Sequence, residues 1–225
     1  MPHIHTPKVI PFNRNVLVCY GIALLCVCGS IFWLDTKLAT WLHQHVQPNW
    51  LLKLLSQAPI LLESIAAMLI VLPLLMHFWP RLSTRLNQQH QSLQFLAKLL
   101  VMTIVLATFV RVSAKFIFGR TWPETWTNDN PSWIAHSVME FHPFSSSLSF
   151  HSFPSGHALF TFALASIFWR CIPQYRLLWL ACMLTVLVGQ LGQNYHYLGD
   201  VMAGATLGLL VAQCSHHLIN QYFVK

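Results

Sequence analysis

Residues 154–172 read PSGHALFTFALASIFWRCI, a short polar segment followed by an apolar run. Similar runs recur along the 225-residue chain, which is 55% hydrophobic and only 8% charged, with a mean hydropathy of +0.53. So few charged residues cannot cover a soluble domain of this size. Because a bilayer core about 30 Å thick needs roughly 20 apolar residues per helix, the composition predicts a membrane protein.

Six apolar stretches predict an all-α, polytopic membrane bundle of six transmembrane helices, forming one domain over residues 1–225. The predicted spans are Val16 to Leu34, Pro59 to Trp79, Leu93 to Phe118, Pro154 to Ile172, Leu177 to Tyr195 and Val201 to Ile219. The connector 119–153 is predicted to be an active-site loop, because connectors of this length are usually functional. Between Asp35 and Ala58, apolar residues recur at helical spacing, which fits either a helix in the outer interface or an ordinary amphipathic connector.

The distribution of lysine and arginine predicts an orientation with both termini in the cytoplasm. Eight basic residues then lie in inner segments, namely Lys8, Arg14, Arg81, Arg85, Lys98, Arg170, Arg176 and Lys225. Five lie on the outer side, namely Lys37, Lys53, Arg111, Lys115 and Arg120. We therefore expect a multi-pass protein of the inner membrane whose outer side is periplasmic.

The net charge of +7 does not predict nucleic-acid binding, because the basic residues lie between apolar stretches and form no stripe with interleaved aromatics. The six cysteines lie in or beside apolar runs, where thiols behave as small hydrophobic groups. Neither a zinc site nor a disulfide framework is predicted.

Three polar segments far apart in sequence open on the outer side in this topology. They are 115–123 at the end of the third span, 153–157 at the start of the fourth, and 194–200 between the fifth and sixth. In the last segment, His196 and Asp200 are four residues apart, so on a helical turn the carboxylate can accept a hydrogen bond from one ring nitrogen. The other ring nitrogen is then a nucleophile or base. The alternative is a structural histidine whose hydrogen bonds are satisfied at a helix end.

The start of the fourth span has the features of an anion site with a proton donor. Ser155 and Gly156 are expected to offer backbone N–H groups at the positive end of the helix dipole, beside His157. A plain helix cap is the alternative reading. Lys115 adds a cation at the end of the third span, and Arg111 lies one turn deeper on the same face, although both can also extend toward lipid headgroups.

Together these groups predict phosphoryl transfer without a metal or other cofactor. A nucleophilic imidazole with its orienting carboxylate, a second histidine, fixed cations and a helix N-terminus suit phosphate, whose transfer depends on positioning and charge neutralisation. The sequence contains no carboxylate pair, serine triad or zinc-ligand spacing.

These residues resemble the signature of the type-2 phosphatidate phosphatase family, membrane relatives of bacterial acid phosphatases and vanadium haloperoxidases. Its blocks run Lys, six residues, Arg-Pro; then Pro-Ser-Gly-His; then Ser-Arg, five residues, His, three residues, Asp. The second block is complete, and order and spacing match throughout. The chain departs at Trp122, where the family has Arg, and at Gly189 and Gln190, where it has Ser-Arg.

The resemblance implies a lipid phosphatase in which His196 attacks phosphorus, Asp200 orients it and His157 protonates the leaving alkoxide. Phosphate oxygens would be bound by Lys115, by Arg120 and by N–H groups near Ser155 and Gly156, and Arg111 and Gln190 are further candidates. Arg120 is included because it lies two residues before Trp122, so an extended segment would point both to the same side.

The implied substrate is a lipid phosphate, with phosphatidate, phosphatidylglycerophosphate, undecaprenyl diphosphate and lipid A phosphates as candidates. Two other functions stay open: a degenerate family member that binds a phospholipid, and a lipid phosphotransferase. A transporter with an intramembrane proton relay is less consistent with the sequence, which has no paired half-repeats. The sequence leaves the oligomeric state open.

Overall fold

A computed structural model describes residues 4–46, 48–78, 87–126 and 129–223, and within these ranges the chain is helical with no strand. The helices are α1 Arg14–Gly29, α2 Asp35–His45, α3 Trp50–Leu55, α4 Ala58–Phe78, α5 Asn87–Phe118, α6 Trp133–His136, α7 Gly156–Cys171, α8 Arg176–Gly192 and α9 Leu198–Phe223. A π-helical turn (Ser30–Leu34) joins α1 to α2, and short 3-10 turns lie at Leu148–Phe150 and Pro173–Tyr175.

Five helical segments of the described chain are long and apolar enough to cross a membrane, which confirms the prediction of an all-α polytopic bundle. They are Arg14–His45, Trp50–Met76, His90–Phe118, Pro173–Gly192 and Leu198–Tyr222. The remaining predicted span, the fourth (Pro154 to Ile172), corresponds to α7, which has 16 residues and is shorter than expected because Ser155 caps it and its last helical residue is Cys171. The predicted end of the second span at Trp79, and Arg81, Arg85 and Lys225 of the charge analysis, lie outside the described residues.

The helix α7 forms the centre of the bundle, packed against α4, α5, α8 and α9. Its contact with α9 depends on two glycines: a Cβ at Gly204 would lie 2.4 Å from the Ser155 carbonyl oxygen, and one at Gly208 would lie 2.4 Å from that of Leu159. Small residues allow helix backbones to approach this closely. The start of α7 is thereby held against the start of α9.

The region from Asp35 to Ala58, whose spacing fitted either an interfacial helix or an amphipathic connector, contains the two helices α2 and α3. Through the π-helical turn, α2 continues α1 directly, and the segment between His45 and Trp50 then separates α2 from α3. Asp35, at the start of α2, is buried. A carboxylate expected near the interface is therefore part of the interior.

Candidate active site

A cavity of about 510 Å³ lies where one end of α4, α5, α7 and α8 meets the turn before α9. Its polar lining residues are Gln57, Glu63, Arg111, Lys115, His157, Gln190 and His196. Its aromatic lining residues are Trp122, Trp126, Phe160 and Tyr195. The three polar segments of the sequence thus converge on one cavity, as predicted.

His196 and Asp200 form the best-defined contact at this cavity. His196 lies in the turn two residues before α9, and its Nδ1 is 3.5 Å from Oδ2 of Asp200 in the first turn of that helix. Because Nδ1 faces the carboxylate, Nε2 is the nitrogen left for the cavity. Burial lowers the pKa of His196 below its ordinary value of 6.5, while the attraction of Asp200 opposes this shift.

The turn that carries His196 has a local sequence explanation. Asn194 takes the left-handed conformation (φ 54°), which asparagine tolerates better than most residues. The backbone N–H of Tyr197 then donates to Oδ2 of Asp200 (3.1 Å), as in a helix cap. This cap fixes the spacing between His196 and Asp200.

Asp200 also receives donors from distant parts of the chain. The Ser152 hydroxyl donates to Oδ2 (2.6 Å) and lies 3.4 Å from Nδ1 of His196. The Arg120 Nη1 donates to Oδ1 (2.6 Å). With the N–H of Tyr197, these donors hold the carboxylate in one position and favour its ionised form.

Arg120 does not line the cavity, which differs from its predicted contact with phosphate. Its fully buried guanidinium lies between two carboxylates, 2.6 Å from Asp200 and 2.8 Å from Asp35, and stacks 4.1 Å from the ring centroid of Tyr197. Burial disfavours its charge, but the two carboxylates outweigh this and raise the pKa of Arg120. Arg120 is therefore an ion-pair partner of the residue that orients His196.

The direction of Arg120 follows from how α5 ends. Gly119 has a φ of +57°, the left-handed conformation common just after a helix, and a Cβ there would lie 1.9 Å from the His142 carbonyl oxygen. The backbone of Arg120 then forms isolated β-bridges with Phe141 and His151, and its side chain points into the bundle. Trp122, two residues later, lines the cavity, whereas Arg120 lies between Asp35 and Asp200.

The start of α7 provides fewer free donors than predicted. The hydroxyl of Ser155 caps the N–H of Ala158, while its own N–H donates to the backbone oxygen of Asp200 (3.0 Å). Ser155 is buried and does not line the cavity. Gly156 and His157 do line it, and their N–H groups have no acceptor among the described residues.

Both cations predicted on α5 line the cavity. The Lys115 ammonium donates to the backbone oxygen of His151 and lies 5.5 Å from the ring centroid of Trp122. The Arg111 guanidinium lies 5.4 Å from the ring centroid of Phe160, and a Cβ at Gly156 would lie 3.0 Å from Cδ of Arg111. Glycine at position 156 thus allows Arg111 to lie against the start of α7.

The two positions where the family pattern has arginine, Trp122 and Gln190, also face the cavity. The Trp122 ring lies 5.1 Å from the His196 ring, and its Nε1 donates to the Leu148 backbone oxygen (3.0 Å). The Gln190 side-chain nitrogen lies 3.5 Å from the backbone oxygen of Ser56, and its buried Oε1 has no partner among the described residues. Neither residue brings a positive charge.

Sequence reasoning missed three residues of this region: Asp35, Ser152 and Glu63. An acidic residue inside an apolar helix is a signal that was available for Glu63. Asp35 and Ser152 had no such signal, because their partners Arg120 and Asp200 are distant in sequence. Within the part of the chain that the structure describes, no group of three or more His, Cys, Asp or Glu side chains could hold a metal ion.

Comparisons with known proteins identify the family of this chain. Two curated relatives named lipid A 1-phosphatase, from Rhizobium etli and Rhizobium johnstonii, are each 27% identical over 126 residues, which is 56% of this chain. The chain spans about half their length, 51% and 49% respectively. No solved structure gives a significant match. The family model of the PAP2 superfamily matches residues 95–223, more than half of the chain and all three polar segments, so this chain belongs to the PAP2 superfamily.

Proposed function

We propose that the protein is an integral membrane lipid phosphatase that hydrolyses a headgroup phosphate through a phosphohistidine on His196. The observation that carries the proposal is the contact of His196 with Asp200 at a cavity that also holds His157, Lys115 and Arg111. A nucleophile with its orienting base, an acid and two cations are what the reaction requires. The relatives named lipid A 1-phosphatase support a lipid phosphate as the substrate class.

In the first step, Nε2 of His196 attacks phosphorus, and the bond from phosphorus to the leaving oxygen breaks. The positive charge that develops on the imidazole is stabilised by Asp200 through Nδ1. His157, at the start of α7, donates a proton to the leaving alkoxide. The departing lipid alcohol is therefore released neutral.

In the second step, water attacks phosphorus, and the phosphorus–nitrogen bond breaks. His157, now neutral, accepts the proton of the attacking water. Inorganic phosphate is released and His196 returns to its starting form. Every bond change uses side chains of this chain and water, so we expect activity to continue in a chelator.

Arg111 compensates for part of the charge lost at Trp122 and Gln190. It is the arginine that lines the described cavity, one helical turn from Lys115 on the same helix. With the N–H groups of Gly156 and His157, these two cations are placed to neutralise the phosphoryl oxygens. Arg120 serves the reaction indirectly, by holding Asp200.

A phosphate group entering this cavity is at the end of the helix bundle, while its lipid tail stays in the bilayer. The charge distribution supports a periplasmic cavity with cytoplasmic termini in the inner membrane. Aromatic side chains such as Trp126 suit the headgroup layer. Phosphatidate, phosphatidylglycerophosphate, undecaprenyl diphosphate and lipid A phosphates all meet these requirements.

The alternative is a family member that binds a phospholipid without turnover, and the absence of arginine at positions 122 and 190 favours it. Loss of one preorganised donor typically reduces a rate about a hundred- to thousandfold. A lipid phosphotransferase would share the phosphohistidine and differ only in the acceptor.

The test is phosphate release by purified protein in detergent and EDTA, with the four lipid phosphates presented separately. We expect release from at least one lipid, and its loss in His196→Ala. His217→Ala is the matched control, because His217 is exposed near the other end of α9. Well-folded protein that releases phosphate from none of them would contradict hydrolysis and favour the binding function or a transferase.

A further inference from the structure

The cavity contains a carboxylate that the proposed phosphoryl transfer does not use. Glu63 lines the cavity from α4 and is the only Asp, Glu, Lys or Arg in that helix, whose sequence is APILLESIAAMLIVLPLLMHF. It makes neither a hydrogen bond nor an ion pair with the described residues. The Glu63 side chain is exposed, and a carboxylate in an apolar helix that faces a cavity is placed to contact a ligand.

Glu63 lies on a different helix from the residues that would contact phosphate. It is on α4, whereas His157, Lys115 and the other proposed phosphate contacts are on α5, on α7 and in the turn before α9. Arg111 is its electrostatic neighbour. Because a carboxylate repels phosphate, the favourable partner for Glu63 is the group to which the phosphate is attached.

The rest of the α4 side of the cavity is also suited to a headgroup. Gln57 adds an amide that both donates and accepts, and Pro59 and Ile60 provide apolar surface. The cavity volume of about 510 Å³ lies within the range of roughly 300–1,000 Å³ typical of small-molecule sites. The site therefore has room for more than the phosphate itself.

We propose that Glu63 accepts hydrogen bonds from hydroxyl groups of the leaving group, so that the site selects lipid phosphates whose leaving alcohol carries further hydroxyl groups, as a sugar does. This rests on the proposed function. The alcohols released from phosphatidate or a polyprenyl phosphate have no further hydroxyl, so the Glu63 carboxylate is left without a donor and its repulsion of the phosphate is not offset. The carboxylate thus favours one class and disfavours the other.

The experiment compares two lipid phosphates with matched acyl chains, one with the phosphate on the anomeric carbon of an acylated hexosamine and the other phosphatidate. The quantity measured is the ratio of their kcat/KM values. A hydrogen bond to a charged group contributes about 1.5–3 kcal/mol, which corresponds to roughly 10- to 150-fold. We expect Glu63→Met to lower the sugar-to-phosphatidate ratio at least tenfold, with activity on phosphatidate rising as the repulsion is removed.

Two further variants sharpen the comparison. Glu63→Gln keeps an oxygen acceptor, so it is expected to lower the sugar-to-phosphatidate ratio of kcat/KM less than Glu63→Met does. Ser64→Ala is the matched control, because Ser64 is the next residue of α4, bonds to the Ile60 backbone oxygen and does not line the cavity. A Glu63→Met variant whose ratio equals that of the wild type would overturn the proposal.

Binding separates this proposal from the proposed hydrolysis. Phosphonate analogues of the two lipids cannot be hydrolysed, and their affinities are measured by thermal shift. We expect the wild type to prefer the sugar phosphonate and Glu63→Met to lose that preference, even if no lipid phosphate is hydrolysed. Equal affinity of the wild type for both phosphonates would overturn the selectivity and leave the hydrolysis test unaffected.

Discussion

Replacing Arg120 by Met is the change that best separates the structural position of this residue from its predicted role at phosphate. The Arg120 guanidinium, Asp35 and Asp200 all have 0% exposed side chains. Met has a similar length and no charge, so the variant leaves two buried carboxylates without their cation. If Arg120 instead bound phosphate, its replacement would have little effect on the fold.

The expected decrease in the free energy of unfolding depends on the hydrogen bonds that each carboxylate retains. Breaking a buried ion pair typically costs 3–5 kcal/mol. Asp35 retains the Ser30 hydroxyl (2.6 Å) and the Gly199 N–H (2.8 Å), and Asp200 retains the Ser152 hydroxyl (2.6 Å). We therefore expect the lower end, about 3 kcal/mol, which for a chain of this size corresponds to roughly 6–12 °C in Tm.

The assay is thermal unfolding in detergent, followed by helical circular dichroism, together with phosphate release. Asp35→Asn is the companion variant: it keeps the Arg120–Asp200 pair and is expected to be the milder change. In Arg120→Met combined with Asp35→Asn, one unpaired buried charge is gone, so the combined loss should be at least about 1 kcal/mol smaller than the sum of the two. An Arg120→Met variant with wild-type Tm but no phosphate release would contradict the ion-pair role of Arg120 and indicate that it binds phosphate.

Three other predictions concern the site and its support. Ser152→Ala removes a donor to Asp200, so we expect kcat to fall roughly tenfold with little change in KM; Ser146→Ala on the exposed connector is the control, and an unchanged kcat would contradict the role of Ser152. Gly119→Ala places a Cβ 1.9 Å from a carbonyl oxygen in a left-handed conformation, so it should destabilise the protein by at least about 2 kcal/mol, and an unchanged Tm would argue against the conformation. Because burial lowers the pKa of His196 and only the neutral imidazole attacks, activity should be lost on acidification with a kcat/KM midpoint below pH 6.5. Two substrates with different phosphate pKa values separate this midpoint from substrate ionisation, and one fixed above pH 6.5 for both would be inconsistent with a buried nucleophile.

The features that the sequence predicted correctly depend on local pattern. Apolar runs gave the membrane helices, and the segments carrying Lys115, His157 and His196 meet because the topology brings alternate helix ends to one side of the bundle. The spacing of His196 and Asp200 fixed their contact, since both lie on one turn. Information of this kind is contained in a few consecutive residues.

The features that were missed depend on contacts between distant residues. The direction of Arg120 is set by the conformation of Gly119 and by Asp35, which is far from it in sequence. The backbone N–H of Ser155 donates to the backbone oxygen of Asp200, so it is not available to bind phosphate as the motif suggested. Neither partner choice could be deduced from spacing, because each requires the packed bundle.

His196 becomes phosphorylated in the proposed reaction, and this intermediate can be trapped. An aryl phosphate labelled with ³²P has a good leaving group, so its first step does not need the proton of His157, whereas hydrolysis of the intermediate needs His157 as base. In His157→Ala we therefore expect alkali-stable, acid-labile label to accumulate on the peptide that contains His196. If no label is found at any time during turnover, or if the label is on another residue, His196 is not the nucleophile.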